Sequence, residues 1–224
     1  MLVRMDFALL HADDSLIVVD KPEGLLAVPG RGADKQDCLA TRVQSHWSDA
    51  LVVHRLDMAT SGLMLLARGA AAQRALSMAF ESREVYKRYI AVVAGIIGES
   101  GDNNDGDRGS IDLPLAADWP RRPMQKVDHI AGKPALTRWR ILERDPRLLQ
   151  TRLELEPVTG RTHQLRVHLQ AIGHPIIGDR LYPIAGAPAD AEPAAPRLLL
   201  HASKLALSHP VTGARLSFDC PAPF

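Results

Sequence analysis

Apolar positions along the chain fall into short runs, some alternating with polar residues and some continuous, broken by Pro, Gly and Asp. Ser15 to Val19 (SLIVV) predicts a strand that enters a Pro/Gly turn, DKPEGLLAVPG, with a second short extended piece behind it. Asp37 to Ser45 predicts a helix and Gly62 to Ala67 a buried strand. Residues 70 to 82 hold Ala72, Leu76, Ala79 and Phe80 at helical spacing, and Val85 to Ala94 predicts another strand. Leu148 to Pro157 alternates so that Leu149, Thr151, Leu153 and Leu155 share one face. A turn through Thr159-Gly160 leads into a helix from about Thr162 to Ile172, ended by Gly173. Leu198 to Leu200, Lys204 to Leu207 and Leu216 to Phe218 predict short strands. Many short strands, few helices and no regular βαβ alternation predict the α+β class.

Two stretches interrupt this pattern, the acidic Gly98 to Ser110 (GESGDNNDGDRGS) and the Pro/Ala-rich Pro183 to Pro196 (PIAGAPADAEPAAP). Strand-like and helix-like segments continue on both sides without a change of composition, so residues 1–224 are expected to form a single domain. There is no internal repeat. The 46% hydrophobic content of the 224 residues suffices for a core. The uncharged apolar run from Tyr89 to Gly98 is about half of the roughly 20 residues a membrane helix needs. The N-terminus has no signal-peptide stretch. A soluble, cytoplasmic protein with no membrane partner is expected.

Cys38 and Cys220 are far apart and in no CxxC pattern, so they read as plain thiols rather than a disulfide framework or a zinc ribbon. The net charge of +1 neither demands nor excludes a polyanion. Arg83, Lys87 and Arg88 cluster, as do Arg121, Arg122 and Lys126, a pattern compatible with phosphate contacts and equally with a solvated, arginine-rich surface.

The chemistry is concentrated in two places. VVHRLDMATSGLMLL (residues 52 to 66) sets a polar knot, His54-Arg55-Leu56-Asp57, between two apolar runs that both read as strands. A carboxylate beside a guanidinium at the rim of a sheet is either a staple or a tool. In the second, the helix around 162–172, the 3.6 period puts Leu165, Leu169 and Ile172 on one face and His163, Arg166 and Gln170 on an adjacent polar face. His163 and His168 lie well over 100° apart around such a helix, so they do not form a metal pair. Arg161, just ahead of the helix, either helps hold a phosphate or the Asp57 carboxylate, or is a solvated turn residue. Tyr86 and Tyr89, three apart on a strand, point to opposite faces. A cleft tyrosine beside a carboxylate and an arginine offers a stacking surface and a proton carrier. Gly-rich phosphate loops, GxSxG elbows and glycosidase-type carboxylate pairs are absent from the sequence. What remains suits chemistry that needs no metal, cofactor or activated water.

HRLDMATSGLMLLA resembles the catalytic HRLD motif of the RluA-type pseudouridine synthases. ELEPVTGRTHQLRVHLQAIGHPIIGD resembles their GRTHQ[IL]R motif and the GHPIxGD that follows. VVDKPEGLLAVPG resembles their first strand and turn, and Arg88-Tyr89-Ile90-Ala91 matches the segment of their active-site tyrosine. LPLAADWPRRPMQKV followed by GKPALT is similar to the RluA branch itself, which lacks an N-terminal S4 RNA-binding domain. With roughly ten residues ahead of the first family strand, no S4 domain is expected. The resemblance covers essentially the whole chain.

It implies a mixed, largely antiparallel sheet with flanking helices and a central active-site cleft. It also implies isomerisation of uridine to pseudouridine in 23S rRNA and tRNA stem-loops; no cofactor or metal is expected for this chemistry, and a monomer is the simplest expectation. Asp57 is then the nucleophile that breaks the N-glycosidic bond, by attack on the sugar or by inducing glycal formation, and Arg166 is its cationic partner. Tyr89 stacks on the base and takes part in removing the C5 proton. Arg55 fills the gap left by the flipped uridine. His54, Arg161 and Leu165 are expected to contact substrate, Leu165 by lining a closed pocket that keeps the released uracil from water. The acidic 98–110 stretch, with Glu99, Asp102, Asp105 and Asp107, is expected to face away from RNA. Two alternatives remain: a non-catalytic RNA-binding protein that keeps this fold, and a hydrolase in which His54 or His163 activates water.

Overall fold

The computed structural model describes residues 7–98, 106–183 and 194–224. Most of the acidic stretch and most of the Pro/Ala-rich stretch therefore lie outside the described residues. In chain order the elements are β1 (Ala8–Ala12), β2 (Leu16–Lys21), α1 (Leu39–Gln44), β3 (Ala50–Val52), β4 (Ser61–Arg68), α2 (Gly69–Glu81), β5 (Tyr86–Ala94), β6 (Arg108–Asp112), β7 (Leu115–Ala117), β8 (Gln125–Val127), β9 (Leu136–Asp145), β10 (Gln150–Pro157), α3 (Gln164–Ala171), β11 (Leu200–Ser208) and β12 (Arg215–Asp219). The class is α+β, and the sheet is mixed with mostly antiparallel pairs. No helix among the described residues is long and apolar enough to cross a membrane. The described residues divide into two compact units, one of residues 7–87 and 201–223, the other of 88–98, 106–183 and 194–200 with Phe224.

In the first unit β4 is the central strand, buried along almost its whole length. One edge runs antiparallel along β2, with Gly62 opposite Lys21 and Leu66 opposite Ile17. The other edge takes β3 at one end and, in parallel, β11 at the other, where Ser61 faces His201 and Gly62 faces Ala202. A side chain at Gly62 would drive its Cβ into the Ala202 backbone, and φ there is +109°, so only glycine permits this approach. The helical rhythm of 70–82 is realised as α2, whose Ala72 and Leu76 sit in a core with Leu63 and Leu65 of β4, Leu16 and Val18 of β2, and Leu205 and Leu207 of β11. Cys38 is a helix cap: the Thr41 N–H donates to its Sγ and the Cys38 N–H donates back to Thr41 Oγ1. The three short strands read at the C-terminal end are two longer ones, β11 and β12, which pair antiparallel.

In the second unit β5, β10, β9 and β6 lie side by side, all antiparallel. Thr151, Leu153, Leu155 and Pro157 of β10 are buried, while the residues between them face the other way. Leu149 does not join that face. It stands in the turn before β10 with φ +51° and 64% of its surface exposed, because the reversal out of β9 needs a left-handed residue there. β7 and β8 form a separate hairpin, and α3 packs against β8, β9 and β10. The helix begins at Gln164, two residues later than its rhythm predicts, because His163 adopts left-handed geometry (φ 54°, ψ 18°).

Candidate active site

The loop of residues 53–60, between β3 and β4, is pinned from three directions. The Leu65 N–H of β4 donates to His54 Nε2 at 2.9 Å, and the His54 ring stacks on Phe80 of α2 with centroids 4.5 Å apart. The buried Lys21 ammonium donates to the carbonyl oxygens of Pro22 (2.8 Å), Leu25 (2.7 Å) and Met58 (3.1 Å), tying the loop to the DKPEGL turn. The Thr60 N–H closes a turn onto the Asp57 carbonyl at 3.1 Å. Leu56 is buried, which leaves Arg55 exposed and Asp57 half-open on either side of it. The polar knot between two strands is thus a held loop that presents a carboxylate.

Because Nε2 accepts from a backbone N–H, the His54 proton resides on Nδ1. Burial, with the Lys87 cation adding to it, pushes the His54 pKa down to about 3. The ring is neutral at physiological pH and its lone pair is committed to β4, so it is not placed to activate water.

In the second unit Tyr89 pairs across the sheet with Leu155, which in turn pairs with Trp139 of β9. Two residues along β9 from Trp139, Thr137 meets Gln164 Nε2 and His168 Nδ1 of α3, each at 3.0 Å. The period of two therefore sets Tyr89, half-buried, on the helix-covered face of this sheet. The GRTHQ turn is organised by Gln164. Its Oε1 accepts from Thr159 Oγ1 (2.7 Å) and the Arg161 N–H (3.0 Å), while its Nε2 also donates to the Leu136 carbonyl. Arg161 is exposed and fastened through Nε to the Pro134 carbonyl at 3.1 Å, and Leu165 is buried.

Of the face of α3 read as polar, Arg166 is buried while His163 and Gln170 are half-buried. Arg166 has 5% of its side chain exposed and grips Asp179 through two 2.7 Å bonds, Nε to Oδ2 and Nη2 to Oδ1. Asp179 Oδ1 also accepts from the N–H groups of Leu181 and Tyr182, and the Arg166 guanidinium lies 5.0 Å from the Tyr182 ring centroid. Asp179 is the partner of Arg166 that sequence reasoning missed, although it ends the GHPIIGD segment. The signal was the arginine: a guanidinium on a helix bounded by Leu165, Val167 and Leu169 needs a carboxylate if it is buried. Tyr182 Oη accepts from the Gln125 N–H at 2.7 Å and bonds His163 Nδ1 at 2.7 Å.

His168 is buried and donates or accepts at both ring nitrogens, to Thr137 and to the Leu113 carbonyl, so it does not act with His163 as a metal pair. Among the described residues Asp20, His201 and Cys220 lie close enough to share an ion. His201 is occupied, however, with Nδ1 bonded to Ser61 Oγ and Nε2 donating to the Cys220 carbonyl, and burial beside Asp20 pushes the Cys220 thiol up to about 11. On the β5–β10–β9–β6 sheet a hollow of about 440 Å³ is lined by Arg88, Arg108, Arg138 and Arg140 with Glu154 and Glu156. Glu154 bridges Arg88 (2.7 Å) and Arg140 (3.1 Å), so much of that charge is neutralised across the strands.

The family model described as RNA pseudouridylate synthase matches residues 15–171, which span both pinned motifs. The chain belongs to the RNA pseudouridylate synthase family. The synthase is 47% identical over 215 residues to a Yersinia pestis protein named dual-specificity RNA pseudouridine synthase RluA, with 96% of this chain and 98% of the relative covered. The protein of that name from Escherichia coli K12 is 46% identical over 216 residues, with 96% and 93% covered. Among solved structures, human RNA pseudouridylate synthase domain containing 1 superposes with TM-score 0.76 at 28% identity, covering 98% of this chain and 85% of that one. Human RNA pseudouridylate synthase domain containing 4 gives 0.73 at 25% identity, with 96% and 88% covered. The synthase is therefore an isomerase that acts on uridine in RNA.

Proposed function

We propose that this synthase converts a hairpin-loop uridine of 23S rRNA and an anticodon-loop uridine of certain tRNAs to pseudouridine, acting as a cytoplasmic monomer. The dual-specificity name shared by relatives that match over nearly their whole length supports the choice of substrates. The observation that carries the chemistry is the held loop, which keeps Asp57 half-open between buried Leu56 and the Lys21-bonded Met58 carbonyl. A nucleophile fixed by its backbone meets the sugar without a search through conformations.

In this reading Arg55, exposed beside Asp57, enters the stack that the flipped uridine leaves. The Asp57 carboxylate, with Arg166 as its cationic partner, breaks the N1–C1′ bond, either by attack at C1′ or by promoting loss of a C2′ proton to give a glycal. The uracil turns so that C5 bonds to C1′, which releases the Asp57 carboxylate from C1′ or, from the glycal, returns a proton to C2′. The C5 proton then leaves with Tyr89 taking part and N1 takes up a proton, so the net change is an isomerisation with no oxidant, reductant or water consumed. Leu165 lines the space that holds the uracil, Arg161 meets a phosphate, and His54 shapes the loop on which Asp57 stands.

The test is conversion of an isolated anticodon stem-loop and an isolated rRNA hairpin by the purified protein, read as pseudouridine by mass spectrometry. Both hairpins should be converted, and Asp57→Asn should remain folded and bind RNA while forming no product. Turnover by Asp57→Asn would remove Asp57 from its role. Conversion only in assembled ribosomal particles would overturn the substrate assignment.

A further inference from the structure

The hairpin of β7 and β8 holds an aromatic surface that the reaction above does not use. Trp119, at its tip, leaves 67% of its surface exposed, although Arg122 sets its guanidinium 3.3 Å from the centre of the ring. A tryptophan left open in this way forgoes the burial that normally accompanies so large an apolar side chain. It is not a frayed end. The buried Asp118 takes Arg121 through Nε at 2.7 Å and Nη2 at 2.6 Å. The Asp118 N–H donates to the Met124 carbonyl, and the Met124 N–H to the Arg121 carbonyl, each at 3.0 Å. On the β8 side of the hairpin Met124 and Val127 pack against the cluster of Val167 and Tyr182, and the Gln125 N–H donates to Tyr182. The platform is thus rooted in the same assembly that holds Arg166.

We propose that Trp119 and Arg122 form a stacking platform for an unpaired nucleotide of the substrate RNA, outside the pocket of the reacting uridine. This rests on the stem-loop reading above. A flat π-face capped by a guanidinium matches a nucleotide in both its parts, the base stacking on the aromatic plane and the phosphate meeting the cation. Such stacking accepts any base, so the platform contributes affinity for looped-out RNA and discriminates against continuous duplex, whose bases are already stacked. The charge of the tip agrees: its single acid, Asp118, is consumed by Arg121, which leaves Arg122 to an anion.

The test compares Trp119→Ala, Trp119→Phe and Arg122→Gln with the natural protein on a labelled stem-loop, measuring Kd by anisotropy and the steady-state constants for conversion. Trp119→Ala should raise Kd and KM together by roughly 5- to 150-fold, the range for removing one base–aromatic stack, with the loss falling on KM more than on kcat. Trp119→Phe should keep most of the affinity, and Arg122→Gln should reduce the salt slope of binding by about one. Kd and KM for Trp119→Ala within twofold of the natural protein would overturn the proposal, as would a loss confined to kcat. If Trp119→Ala does not fold, Trp47→Phe/Trp139→Phe leaves Trp119 as the sole indole, and its fluorescence should be quenched by single-stranded RNA. An unchanged signal overturns the proposal. Absence of product from the natural protein on any hairpin would be a failure of the substrate reading, whereas the quenching experiment addresses the platform alone.

Discussion

Replacing Asp179 by Asn tests whether the buried pair beneath α3 is as demanding as its geometry implies. The Asp179 carboxylate is fully buried and accepts four N–H groups, two from Arg166 and one each from Leu181 and Tyr182. Asparagine keeps the volume and one carbonyl oxygen, so the two turn amides can still be met. Its NH2, however, faces a guanidinium N–H, donor against donor, and the Arg166 charge loses this counter-ion while 5% of its side chain is exposed. Removing one partner of a buried pair costs about 3–5 kcal/mol, a large share of a stability of roughly 5–15 kcal/mol. In urea the midpoint should fall by about 1–2 M. Arg166→Met/Asp179→Asn removes the stranded cation and should recover most of that stability, yet it should form no pseudouridine, which separates folding from chemistry. A single variant within 1 kcal/mol of the natural protein, or a double variant less stable than the single one, would refute the reasoning.

Three further outcomes follow from the geometry. Folded His54 resists protonation down to about pH 3 whereas the unfolded imidazole accepts a proton near 6.5, so stability is fully present above pH 6.5 and declines as pH falls. The decline should approach 1.4 kcal/mol per pH unit, and His54→Phe should flatten it in urea melts between pH 4 and 7. Gly62→Ala should cost more than about 3 kcal/mol or prevent folding, since the new Cβ would collide with the Ala202 carbonyl at a positive φ; a natural melting curve would contradict the β4–β11 pairing. Exhaustive chelation should leave the rate on a hairpin unchanged once magnesium effects on RNA folding are controlled, because the isomerisation has no step that calls for a Lewis acid. A divalent requirement in single turnovers would count against it.

Legibility followed the physics of each segment. The strand–loop–strand around His54–Asp57 was readable because charge set between two strongly apolar runs fits a loop at the rim of a sheet and little else, and β4 and α2 because their periods are clean. Leu149 was misread because alternation extends through a residue whose backbone turns over, and φ leaves no trace in side-chain type unless glycine supplies it. The left-handed start of α3 at His163 was hidden for the same reason. β9 was not anticipated, since Arg138, Arg140 and Glu143 break its apolar signal, the two arginines pairing across strands with Glu156 and Glu154. Asp179 escaped because helical rhythm sorts residues by polarity, and a buried ion pair is polar inside a core.

The route of the chain through the first unit has a consequence for how that unit comes into being. Its sheet needs β4 and β11, whose paired residues Ser61 and His201 are 140 positions apart, so a growing polypeptide finishes β4 long before β11 has been synthesised. Until then the Ser61–Gly62 end of β4 lacks a neighbour on one edge, and Leu63, Leu65 and Leu76 lack Leu205 and Leu207 above them. The loop that presents Asp57 is pinned to β2, β4 and α2, all made early, but the sheet beneath it closes last. A ribosome that stops before residue 201 therefore releases a chain that carries all of its proposed catalytic side chains on an incomplete sheet with an open, adhesive edge.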